Sequence, residues 1–198
     1  MTALLKEDVW LSPEAYLEAE QLRDVRHEYL GGKLYAMAGA SDRHNIIAGN
    51  IFGELRTQLR GKTCRAYIND MKVRTEAKGR TIFYYPDVMV ACRKDEPSAF
   101  YKTEPRVLFE VVSRSTEETD RREKYFAYTS MPSVLTYVIV EQHTMRLEIY
   151  RRVEERWEVE LLQRPSDVVN LPEITCALSL EAIYEGSFDA LVEDEGGL

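Results

Sequence analysis

Two carboxylates set in strand-like runs, with a lysine one helix away, are the residues of this chain that could do chemistry. Glu110 lies inside Arg106-Val107-Leu108-Phe109-Glu110-Val111-Val112, a short, apolar, β-branched run. A carboxylate in a buried strand is costly unless a metal or a cationic side chain pairs with it. Asp87 follows Pro86 and opens a second buried-type run, Val88-Met89-Val90-Ala91, with a polar loop over 93–104 between the two. If these strands are neighbours, the two acids can meet across them. Adjacent acids repel, and one takes a proton unless a cation stands between them. Mg²⁺ suits such a pair, with Mn²⁺ as the alternative, because it takes one or two carboxylates together with water and substrate phosphate. In that position it would activate a water and neutralise the charge of phosphodiester cleavage. The competing reading is structural: Pro-Asp is a common turn dipeptide, and a single Glu in a strand often faces solvent.

The elements that must position these groups are legible in outline. Ser115 stands three residues before Glu118, the capping-box spacing, which predicts a helix from about Thr116 to Ser130 directly after the Glu110 strand. On that helix Arg121, Lys124, Tyr125 and Tyr128 share a face. Upstream, Ser12-Pro13-Glu14 starts a helix reaching about Gln21. Gly31-Gly32 between His27–Leu30 and Lys33–Met37 signals a hairpin. Ser41-Asp42 caps a helix running to about Leu59, with Ile47, Ile51, Leu55 and Leu59 on one stripe and His44 extending it by a turn. Strand patterns follow over 63–68, 71–75, 81–85, 135–140, 145–150 and 157–161, and a short helix closes the domain at 178–184. The order implies one α/β (α+β) domain around a mixed sheet.

Composition narrows the function. At 198 residues, with 44% hydrophobic and 30% charged, the chain reads as an ordinary globular domain. The net charge of -8 argues against indiscriminate nucleic-acid binding. However, Glu185, Asp189, Glu193, Asp194 and Glu195 crowd into the final stretch, which has no Lys or Arg. Residues 1–185 therefore read as a single, mildly acidic domain and 186–198 as an acidic tail, so a local basic groove remains open. No apolar run approaches the roughly 18–20 residues that span a bilayer, and the first residues do not resemble a signal peptide. Cys64, Cys92 and Cys176 are scattered and odd in number, which predicts free thiols in a cytoplasmic protein and no structural zinc. A Gly-rich phosphate loop is missing, and Ser113 and Ser115 have no triad context.

The wider pattern resembles a known family. Pro86-Asp87 followed by Glu110-Val111-Val112 is similar to the signature of the PD-(D/E)XK nuclease superfamily. His27-Glu28-Tyr29-Leu30-Gly31-Gly32-Lys33-Leu34-Tyr35-Ala36-Met37, Arg43-His44-Asn45, Asp70-Met71-Lys72-Val73-Arg74, Tyr85-Pro86-Asp87-Val88, Glu110 to Thr116 and Asp120-Arg121-Arg122-Glu123-Lys124 occur in the order seen in its Uma-type restriction endonucleases. The resemblance covers about residues 10–185. It implies a restriction-endonuclease-like mixed central sheet flanked by helices, and Mg²⁺-dependent hydrolysis of DNA. Asp87 and Glu110 would hold the metal, and Glu28 would complete the acidic site. The superfamily Lys lies two residues after the Glu, where this chain has Val112. Lys124 is the expected substitute and Lys72 the rival. His44 would contact phosphate or position water. Without the resemblance, Lys124 is a solvated partner of Asp120, Glu28 a surface acid and His44 a structural residue. A homodimer fits an enzyme that must grip both strands. The alternative is a catalytically silent nucleic-acid-binding or assembly protein that keeps the fold. A weaker third reading is a phosphodiesterase of small nucleotides.

Overall fold

Serine caps fix where the first two helices begin. The computed structural model describes residues 10–95, 97–112 and 120–188. In it, Ser12 Oγ accepts the Ala15 N–H at 3.2 Å and starts helix α1 (Pro13–Glu20). Ser41 Oγ accepts the His44 N–H at 3.2 Å and starts α2 (Asp42–Gln58). The α2 stripe is buried at Ile47, Ala48, Ile51 and Leu55, as its spacing requires. A π-helical turn (Asp120–Lys124) runs into α3 (Tyr125–Thr129), and Ser179 caps a short α4 (Leu180–Tyr184). The capping box expected at Ser115 and most of the acidic tail lie outside the described residues.

The strands are β1 (His27–Leu30), β2 (Lys33–Ala36), β3 (Arg65–Ile68), β4 (Lys72–Ala77), β5 (Arg80–Tyr84), β6 (Val88–Ala91), β7 (Tyr101–Lys102) and β8 (Pro105–Val112), followed by β9 (Thr136–Glu141), β10 (Leu147–Val153), β11 (Arg156–Leu162), β12 (Val168–Leu171) and β13 (Cys176–Ser179). They form a mixed six-stranded sheet in the order β11-β10-β9-β8-β6-β3, a five-stranded sheet β2-β1-β5-β4-β7, and the β12-β13 hairpin. The expected mixed central sheet is the six-stranded one. Its parallel pair is β8 with β9, which needs a crossover, and α3 belongs to that crossover. In the β1–β2 turn, Gly31 and Gly32 have φ of +56° and +104°, and a Cβ on Gly32 would collide with the Trp10 ring. Only glycine fits there.

Alternation along β8 decides which way Glu110 points. Val107, Phe109 and Val111 join the core built on α2, whereas Leu108 and Val112 join the core built on α3. Glu110, even-numbered like Leu108 and Val112, therefore faces α3. The free-thiol expectation is corrected for two of the three cysteines. Cys64 and Cys92 are joined by a disulfide, while Cys176 is free and buried. The Arg65↔Ala91 pairing sets the two cysteines opposite each other at the end of β3 and β6, so sequence distance gave no hint of contact. No helix among the described residues is long and apolar enough to cross a membrane.

Burial pushes the phenols of Tyr16, Tyr84, Tyr85, Tyr128 and Tyr184 well above their ordinary range. Unfolded tyrosines ionise near pH 10. Above that pH the unfolded chain loses protons that the folded chain keeps, so stability must fall as pH rises. The expected result is that these phenolate absorbances appear only together with the loss of circular dichroism. Titration of all tyrosines near pH 10 with the fold intact would contradict it.

Candidate active site

The antiparallel pairing of β6 with β8, Val88↔Phe109, extends one residue to set Asp87 opposite Glu110. The backbone N–H of Val111 donates to Asp87 Oδ2 at 2.7 Å, and His44 Nε2 lies 2.9 Å from Asp87 Oδ1. His44 reaches that point because the Ser41 cap fixes the first turn of α2 against the start of β6. Each Asp87 oxygen thus has a partner, and the side chain stays 16% exposed.

Glu110 is 2% exposed, which demands compensation for its charge. Lys124 Nζ lies 3.1 Å from Glu110 Oε2, and the Tyr128 hydroxyl donates to Glu110 Oε1 at 2.8 Å. Lys124 and Tyr128 are four residues apart, so one helical face delivers both. The ammonium is also 3.4 Å from Glu28 Oε1 and 5.8 Å from the centre of the Tyr84 ring. Glu28 arrives from the hairpin: the Tyr29↔Phe83 register continues to place it beside Tyr84. Burial, followed by the charges of Glu110 and Glu28, raises the Tyr128 phenol, so it remains a proton donor to the carboxylate.

The structure thus brings Glu28, Glu110 and Lys124 into one group, buried at Glu110 and Lys124 and partly exposed at Glu28, with Asp87 and His44 beside it, linked through Val111. Lys72 lies elsewhere. It is buried above the Tyr85 ring at 4.9 Å. Desolvation lowers its pKa, and the charge of Glu20 opposes that shift. Two residues of this region have no role in the sequence reading. Tyr128 was visible only as a neighbour on the Lys124 face. Gln142 is buried, its side-chain oxygen accepts the Ser41 hydroxyl at 3.0 Å and its backbone N–H donates to Val112 O at 3.3 Å, and no local pattern marks it.

Metal binding can be tested on the donor set. Among the described residues no three His, Cys, Asp or Glu side chains are grouped to hold an ion. Mg²⁺ commonly takes only one or two carboxylates and completes its shell with water and phosphate. Asp87 and Glu110 on neighbouring strands are that kind of hard oxygen pair, and an oxygen accepting one hydrogen bond keeps a second lone pair. The donor chemistry therefore fits a two-carboxylate site. Glu28 joins the group through the Lys124 ammonium.

Comparison with known proteins places this chain in a family. The family model described as "Uma2: Putative restriction endonuclease" matches residues 13–182. The uncharacterized protein slr1290 of Synechocystis is 30% identical over 177 residues, covering 89% of this chain and 92% of that one. A second Synechocystis protein, sll1609, also uncharacterized, is 28% identical over 149 residues, covering 74% of this chain and 83% of its own. Among solved structures, a "putative nuclease" from Anabaena variabilis superposes with a TM-score of 0.68 at 16% identity, covering 88% of this chain and 97% of that one. That likeness establishes a shared fold. With the family match spanning nearly all the described residues, the chain belongs to the Uma2 restriction-endonuclease family.

Proposed function

We propose that this chain is a metal-dependent endonuclease that hydrolyses DNA phosphodiester bonds, working as a homodimer with one site for each strand. The observation that carries the reading is the 3.1 Å contact between Lys124 Nζ and Glu110 Oε2. The position where the superfamily Lys is expected holds Val112, yet an ammonium from the next helix stands at the same carboxylate. Asp87 and Glu110 are the proposed holders of Mg²⁺ or Mn²⁺, and Glu28 is the third acid of the site. Bound there, the ion would activate water and offset negative charge on the phosphate.

The chain's own residues then have distinct tasks. Lys124 orients the attacking water and stabilises charge developing on the phosphoryl oxygens. Tyr128 fixes the Glu110 carboxylate through its 2.8 Å hydrogen bond. His44 holds Asp87 through its ring Nε2 at 2.9 Å and so positions that carboxylate. Three acids against one ammonium would repel a phosphodiester, so a bound cation is also needed for substrate to approach.

A second reading, a catalytically silent nucleic-acid-binding or assembly protein, is favoured by one feature of the same group. Lys124 already neutralises Glu110 without any metal, as a purely structural ion pair would. Plasmid incubated with Mg²⁺ or Mn²⁺ separates the two. Nicking by the native chain, lost in Asp87→Ala and Glu110→Ala, supports the nuclease. A native chain that neither binds metal nor cleaves DNA or RNA leaves the silent reading.

Two substitutions test the parts. Tyr128→Phe removes only the hydroxyl, and cleavage is expected to fall about 10–100-fold with circular dichroism unchanged. Full activity would show that Glu110 needs no such orientation. Lys124→Met strands buried carboxylates and is expected to cost about 3–5 kcal/mol in urea unfolding. Adding Glu110→Gln should recover a large part of that loss, and no recovery would count against a direct Lys124–Glu110 coupling.

A further inference from the structure

Gln142 is a buried polar residue beside the site to which the proposed chemistry gives no task. It directly follows β9 and is 6% exposed. A buried amide is tolerated when its polar atoms are paired, and here both ends are. Gln142 Oε1 accepts the Ser41 hydroxyl at 3.0 Å, and Gln142 Nε2 lies 3.1 Å from His143 Nε2. The backbone N–H of the same residue donates to Val112 O at 3.3 Å. Val112 is two residues beyond Glu110 on β8. Gln142 is therefore bonded through its main chain to the strand that carries Glu110, and through its side chain to the cap of α2.

That cap stands one turn from the other half of the site. Ser41 Oγ gives its proton to Gln142 and accepts the His44 N–H at 3.2 Å. Donation to Gln142 fixes the rotation of the hydroxyl and so keeps a lone pair turned toward the helix. The buried stripe of α2 starts only at Ile47, a turn further on. The turn that carries His44 is instead held by polar contacts, the Ser41 cap among them, with Arg43 Nε donating to Ser187 O at 3.1 Å. His44 Nε2 then meets Asp87 Oδ1 at 2.9 Å. A carboxylate can only accept, so the ring proton sits on Nε2.

We infer that Gln142 is a positioning residue, acting through Ser41 and His44 to set the Asp87 carboxylate relative to Glu110. Without the amide oxygen, the exposed Ser41 hydroxyl turns to solvent, the first turn of α2 loosens, and the His44 ring no longer stays at Asp87. The consequence for cleavage rests on the nuclease reading, whereas the chain of hydrogen bonds does not.

Two variants test it. Gln142→Met keeps the length of the side chain and the backbone bond to Val112 but removes the amide. Ser41→Gly keeps a good helix cap residue and removes the hydroxyl that reaches Gln142. In metal-free protein with isotope-labelled histidine, the Nε2 proton shared with Asp87 should give a protected imidazole signal, identified by its loss in His44→Ala. Each variant should lose that signal to solvent exchange while the backbone amides of β8 and β9 keep their shifts. In plasmid nicking, each should lower kcat about 10–100-fold with KM for DNA unchanged, and the double variant should lose no more than either single one. A His44 signal that persists in either variant overturns the proposal, and so do losses in kcat that add in the double variant. If the variants lose the signal but the native chain cuts no DNA, the nuclease reading fails and the positioning role stands.

Discussion

One ammonium shared by the buried Glu110 and the partly exposed Glu28 constrains much of this molecule. Lys124 and Glu110 are 7% and 2% exposed, with their charged atoms 3.1 Å apart. Neither charge is tolerable alone in that environment, and removing either partner leaves the other uncompensated. The pair exists only if three elements arrive together. β8 must present Glu110 toward α3, the π-helical turn must bring Lys124 back over the strand, and the β1–β2 hairpin must bring Glu28 to the far side of the ammonium. The β8–β9 crossover, the paired glycines at the hairpin turn and the Tyr128 hydroxyl all serve that assembly.

The same arrangement explains how a nuclease fold accommodates Val112. That side chain is fully buried and packs in the cluster with Leu108, Ala127, Tyr128 and Ile139. A lysine there would have to run its charge through the α3 core. Placing the cation at the end of the π-helical turn before α3 keeps the core apolar and still puts an ammonium at the acid. The ammonium that stabilises Glu110 would compete with any ion using the same carboxylate. Asp87, held by His44 and a backbone N–H instead of a permanent cation, is the more available carboxylate.

The two ends of the central sheet are treated differently. At β3 the edge is short and is tied to β6 by the Cys64–Cys92 disulfide. At β11 the edge is long, apolar on one face and carries no lysine. Its Arg156, Glu158 and Glu160 are charged side chains of the kind that guard a sheet edge, and the strand lies three positions from β8.

Local chemistry in the sequence determined a great deal. Ser12 and Ser41 mark helix starts because a short hydroxyl side chain can satisfy a free N–H. Gly31-Gly32 marks the turn because glycine takes positive φ at least cost. The β8 run, with Glu110 inside it, announces an acid needing a partner. The spacing of Lys124 and Tyr128 announces a shared face. Tertiary structure alone decided what met what. The choice of Lys124 over Lys72 at Glu110 depends on which helix crosses which strand, and no residue pattern encodes that directly. The Cys64–Cys92 contact was invisible for the same reason: 28 residues separate them along the chain, and antiparallel pairing of β3 with β6 erases that distance. The hydrogen bond from Tyr128 to Glu110 likewise belongs to the packing, since a tyrosine on an amphipathic face signals burial but not where its hydroxyl will point. Sequence sets local geometry and the need for compensation, whereas the long-range register supplies the partner.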